Sequence, residues 1–60
     1  MKAYFINTTT WDSPDAEIID GITLEKAEQG LNDLNPEDFL FLCEADSIDQ
    51  AKEAWADNFR

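Results

Sequence analysis

Sixty residues carrying fourteen acidic side chains against four basic ones, and no histidine, have a formal net charge of −10. That length permits one domain, and a domain so small buries only about 60% of the surface its unfolded chain exposes. A hydrophobic fraction of 43% with seven aromatic residues excludes a disordered acidic tail, and the charge disfavours nucleic acid or anionic lipid as direct partners.

In chain order, residues 2–10, KAYFINTTT, are aromatic, β-branched and threonine-rich, the composition of a first strand. WDSPD has Ser-Pro and two aspartates, which make a turn, and AEIIDG reads as a short second strand ending at Gly21. Thr23 is the expected cap of a helix whose apolar positions Leu24, Ala27, Leu31 and Leu34 follow the 3.6-residue period, ending near Asn32–Asn35. Pro36 suits the first position of a helix. The unpunctuated apolar run FLFLCEA that follows reads instead as a third strand, buried at least partly on both faces. The last segment has the clearest start signal: Ser47 as N-cap and Gln50 three residues on form a capping box, with Asp46 and Asp49 near the positive end of the helix dipole. Ile48, Ala51, Trp55 and Phe59 are its apolar stripe.

The order β-β-α-β-α implies a small two-layer α+β domain, residues 1–60, with a three-stranded, mainly antiparallel sheet of order 2-1-3. A hairpin joins the first two strands and a right-handed crossover carries the chain to the third. Both helices would cover one face through Leu24, Leu31, Trp55 and Phe59. Alternation then sets Phe39, Phe41 and Cys43 on one side of the third strand and Leu40 and Leu42 on the other. Either one helix crosses to the far face or an apolar patch stays open there.

Without histidine, every Ser-His, Cys-His and His-metal arrangement is excluded. Cys43 lies in the apolar run, where a thiol is an inert small hydrophobe. As the sole cysteine it cannot form an intramolecular disulfide, so a reducing cytoplasm is the expected compartment. No signal-type or membrane-spanning apolar run is present. The two glycines, Gly21 and Gly30, make no phosphate-binding loop. Asp12, Asp15, Glu17 and Asp20 surround a turn but lack the calcium-loop spacing and its glycine. The expectation is a non-enzymatic protein with no metal and no cofactor.

What remains is the acidic surface. Asp49, Glu53 and Asp57 recur every four residues, a line of negative charge roughly 12 Å long. Glu44 and Asp46 would extend it at one end, and Glu25 and Glu28 of the first helix would run beside it. Like charges at this spacing oppose helix formation by about 0.2–0.5 kcal/mol per pair, and Asp57 in the last turns also opposes the dipole. The face was therefore not arranged for helix stability. An array of carboxylates imitates the phosphate ladder of a nucleic acid, which basic clefts bind through electrostatics.

In size and charge, though in no motif, the chain resembles the small acidic inhibitors that bacteriophages and plasmids direct against host defence, anti-CRISPR and anti-restriction proteins among them, several of which mimic DNA. The resemblance implies a basic, nucleic-acid-binding partner, such as a CRISPR effector or restriction enzyme, blocked sterically and electrostatically in the host cytoplasm. Arginine forks would pair with Asp49, Glu53 and Asp57, and Trp11 at the turn would be a packed anchor. The alternative is a structural or regulatory module that forms a homodimer through Leu40, Leu42 and the outer face of the first strand.

Overall fold

The computed structural model describes all residues, 1–60. Lys2–Asn7 form strand β1, Ile18–Asp20 strand β2, Gly21–Glu28 helix α1, Phe39–Ala45 strand β3 and Ile48–Ala56 helix α2. Single 3₁₀ turns at Pro36–Asp38 and Asp57–Phe59 precede β3 and follow α2. The sheet is three-stranded, in the order β2-β1-β3, with β1 antiparallel to both neighbours. This is the expected α+β domain, with the expected strand order.

β1 is shorter than expected because Asn7 turns the chain. Its Oδ1 accepts from the backbone N–H of Thr9 at 2.8 Å and from the Thr9 hydroxyl at 2.7 Å, a local side-chain turn that competes with further strand. Along β1, Tyr4 and Ile6 are buried on one face while Phe5 points to the other. Tyr4 and Ile6 join Ala16, Ile18, Ala45 and Ala51 in one buried cluster, against which Leu42, Cys43 and Trp55 pack. That face belongs to α2. Ile19, Ala27 and Phe39 are buried outside the cluster. Ile19 and Phe39 are the register partners of Phe5 and Asn7, so they share the opposite face. A Cβ on Gly21 would stand 3.7 Å from the Phe5 ring, which sets the start of α1 on that face.

The helices thus divide between the two faces, where one face was expected to carry both. The physical reason lies in β2: Ile18 and Ile19 are neighbours in a strand, point in opposite directions and are both buried. Each face of the sheet needs its own cover. Of the two outcomes left open for the far face, the crossing of one helix is realised.

Two further corrections concern α1. Its N-cap is Asp20, not Thr23, with Asp20 Oδ1 accepting from the Thr23 N–H at 2.7 Å. It ends at Glu28, well short of Asn32, because Gly30 adopts φ 75° and closes a Schellman turn: Leu31 N–H donates to the Lys26 carbonyl at 2.8 Å and Gly30 N–H to that of Ala27 at 3.1 Å. Leu31 is consequently 66% exposed and contributes no helical stripe. Leu24 and Leu34 are half-buried.

β3 spans the expected residues but is less covered than a strand buried on both faces. As an edge strand it keeps Phe39 and Ala45 buried and leaves Leu40, Phe41 and Glu44 exposed. One extra residue, Leu42, separates the partners of Tyr4 (Cys43) and Phe5 (Phe41). This bulge resets the alternation, so Cys43 shares the face of Tyr4 rather than that of Phe39 and Phe41. In α2, Ser47 Oγ accepts from the Gln50 N–H at 3.3 Å, and Gln50 Oε1 accepts from the Asp46 N–H at 3.0 Å. The capping box forms with its return bond one residue before the cap.

Asp20 has a carboxyl pKa lowered from its ordinary 3.8, chiefly by the Thr23 backbone N–H, then by the Thr23 hydroxyl, with Lys2 and Lys26 adding to the effect against some desolvation. Its stabilising contribution is complete above the unfolded-chain value and is lost as pH falls through the lower folded-state value. Replacing Asp20 with Ala is expected to cost about 1 kcal/mol at neutral pH. Asp20→Asn, which keeps an acceptor, should cost much less and flatten the acid limb of the stability profile. Urea unfolding of the three proteins at neutral and acid pH checks both expectations.

Candidate partner-binding surface

Helix α2 is fastened by two side chains. Ala51 is fully buried in the core cluster at 0% exposure. Trp55 packs against that cluster and donates its Nε1–H to the Ser13 carbonyl at 2.9 Å. The ring of Phe59 meets Trp55 edge-on at 5.7 Å but stays 45% exposed, and Ile48 is exposed as well. The stripe expected to hold the helix therefore narrows to Ala51 and Trp55.

With Ala51 and Trp55 facing inward, Asp49, Glu53 and Asp57 are left in solvent. Asp49 and Glu53 lie within α2, and Asp57 is its C-cap. Helical rise spaces them about 6 Å apart. Their surroundings differ. Asp57 is paired with Arg60, Oδ1 to Nη1 at 3.0 Å, with both side chains more than half exposed. An exposed pair of this kind adds little stability, yet it neutralises one end of the row. At the other end Asp46 and Asp49 have no cationic partner. The row is thus most negative at its N-terminal half.

The remaining candidates scatter. Glu25 and Glu28 are exposed on α1 and belong to the other face of the sheet, so they do not run beside α2. Glu44 pairs with Ala3 in the register and shares that other face. Asp46 alone extends the row. Trp11 is 41% exposed in the loop between β1 and β2. That loop is fastened to α2 by the Ser13–Trp55 bond, so its position relative to the row is set by the fold.

The same bond brings in a residue the periodicity of α2 cannot reveal. An open depression of about 360 Å³ beside α2 is lined by Asp15 of the loop together with Lys52, Glu53, Ala56 and Arg60. Asp15 joins the α2 surface there, beside two of the four cations. The only sequence trace of this is the Ser-Pro turn that brings the loop round. Of the acids around that turn, Asp20 caps α1 and Glu17 accepts from the Asn7 amide at 2.9 Å. No group of three or more acidic or cysteine side chains is gathered as a metal site.

Leu40, proposed with Leu42 as a self-association patch, is 52% exposed, whereas Leu42 packs against the core cluster at the bulge. The two do not form one outer patch. No helix is long and apolar enough to cross a membrane. No protein-family model, curated protein or solved structure matches this chain.

The spacing of the row has a measurable consequence. Asp57 is already paired with Arg60, so the bare like-charge pair of Glu53 is the one with Asp49, and Glu53→Lys turns it into a favourable pair. The substitution is expected to stabilise the domain by roughly 0.5–1 kcal/mol at low ionic strength, with the gain shrinking as salt is added. Thermal unfolding at two salt concentrations checks this.

Proposed function

We propose that this protein is a non-enzymatic acidic inhibitor that binds the basic, nucleic-acid-binding surface of another protein and blocks it. The observation that carries the reading is the exposed row Asp49, Glu53 and Asp57 on a helix whose inward side is fastened by Ala51 and Trp55. A helix held by its core and its loop presents carboxylates at fixed intervals, and fixed carboxylates suit arginine forks better than mobile ones. Like charges at four-residue spacing weaken the helix, so the face is costly for stability alone. The net charge of −10 supplies long-range attraction to a basic cleft.

The size and charge point to the class of small phage or plasmid inhibitors of host defence, with a CRISPR effector or restriction enzyme as target in the host-cell cytoplasm. Asp46, Asp49 and Glu53 carry most of the attraction, because Arg60 already occupies Asp57. Trp11 is the neighbouring aromatic anchor. Glu25, Glu28 and Glu44 contribute to the field and not to the contact.

The test is DNA cleavage by a panel of purified CRISPR effectors and restriction enzymes with the protein added. Inhibition of a sensitive enzyme is expected to weaken about tenfold or more as salt is raised. It should be lost in the Asp49→Lys/Glu53→Lys protein while the fold persists, and reduced only slightly by Asp57→Lys. Absence of inhibition across the panel, or inhibition indifferent to both salt and reversal, would overturn the reading.

A further inference from the structure

β3 is an edge strand whose outer side has no neighbour in the sheet. The Thr8 N–H donates to the Asp38 carbonyl at 2.7 Å, in the register that continues through Asn7 with Phe39, Ile6 with Leu40 and Phe5 with Phe41. Antiparallel ladders alternate bonded and non-bonded pairs. Leu40 therefore turns its backbone groups toward β1, and Phe39 and Phe41 turn theirs to the open edge. The Phe39 N–H is taken by the Pro36 carbonyl. That leaves the Phe39 carbonyl and both polar groups of Phe41 directed outward.

The side chains around these groups are apolar on both faces. Phe41 is 59% exposed beside the ring of Phe5, at 5.9 Å between centroids, and Leu40 is 52% exposed on the opposite face. An open, apolar edge of this kind is a template for an added strand.

Charge decides what can be added. Glu37 and Asp38 precede the open stretch, and Glu44 follows it. A second copy docked antiparallel about Phe41 would bring the Glu37–Asp38 flank of one chain near the Glu44 flank of the other, at both ends of the pairing, between chains that each carry a net charge of −10. A parallel copy would set each acid against its own counterpart. Like charges directly across a ladder are destabilising, and the bulge at Leu42 adds twist that shortens the usable edge. The edge is guarded against its own kind and open to a strand of opposite charge.

We propose that the β3 edge receives an extended segment of a partner protein, apolar in its centre and flanked on both sides by Lys or Arg, as an added strand bonded to Phe39 and Phe41. This surface is separate from the α2 carboxylates and does not depend on them.

A synthetic peptide with a valine-threonine centre and lysine pairs at both ends, titrated into the isotope-labelled full chain, tests the proposal beside a twin flanked by glutamates. The lysine peptide is expected to bind about tenfold or more tighter than its twin. The Phe41 amide, free in the unbound chain, should become protected from hydrogen exchange while α2 amides stay unchanged. Replacing the exposed flanks in a Glu37→Lys/Glu44→Lys protein should erase most of the preference; the comparison of the two peptides on the unaltered chain stands even where that variant folds poorly. No binding of the lysine peptide, equal binding of both, changes centred on α2, or dimerisation of the chain alone through β3 would each overturn it.

Discussion

β1 is the one strand with a neighbour on each edge, and both layers of apolar packing hang from it. Its even positions, Tyr4 and Ile6, face the cluster closed by Ala51 and Trp55, and its odd position Phe5 faces α1. Only nine of the sixty residues are buried, so the domain has no reserve with which to absorb an error in this alternation. A chain of this length is expected to be stable by about 3–9 kcal/mol. Against that, a cap or a pair of repelled charges, each near 1 kcal/mol or less, is a sizeable fraction. The acidic row on α2 is therefore a real concession of stability in a protein with little to concede.

The division of the helices between the two faces bears on the proposed function. It separates the carboxylates into independent surfaces: Asp46, Asp49, Glu53 and Asp57 with α2, and Glu25, Glu28 and Glu44 on the side of α1. A basic cleft meets one of these surfaces at a time. Trp55 ties the surface of α2 both to the core and to the loop that bears Asp15 and Trp11. The proposed partner surface is thus a composite of a helix and a loop joined by one indole hydrogen bond.

Much of this architecture was legible in the residues. KAYFIN and FLFLCEA are strands by composition, Ser47 and Gln50 mark the start of α2, and the element order implies the sheet order. The row of acids on α2 follows from the positions of Ala51 and Trp55 alone. What escaped depends on chemistry that several residues could supply. Asp20 and Thr23 are both good caps, and only the sheet register, which ends β2 at Asp20, decides for the first. Leu31 and Leu34 continue the helical period on paper, but Gly30 in the left-handed region ends the helix before them. The bulge at Leu42 has no glycine or proline to announce it. The placement of Glu25, Glu28 and Glu44 on the far face depends on which face each helix covers, and the adjacent apolar pair Ile18 and Ile19 is its trace in the sequence.

The central claim is that the outward carboxylates of α2, and not the overall charge, make the contact with a basic target. Carbodiimide labelling of carboxyl groups, read residue by residue by mass spectrometry with and without a bound target enzyme, measures this directly. The account predicts that Asp49 and Glu53 are shielded from modification in the complex while Glu25 and Glu28 react as they do in the free protein. Shielding of Glu25 and Glu28 with Asp49 and Glu53 still reactive, or uniform reactivity throughout, would contradict it.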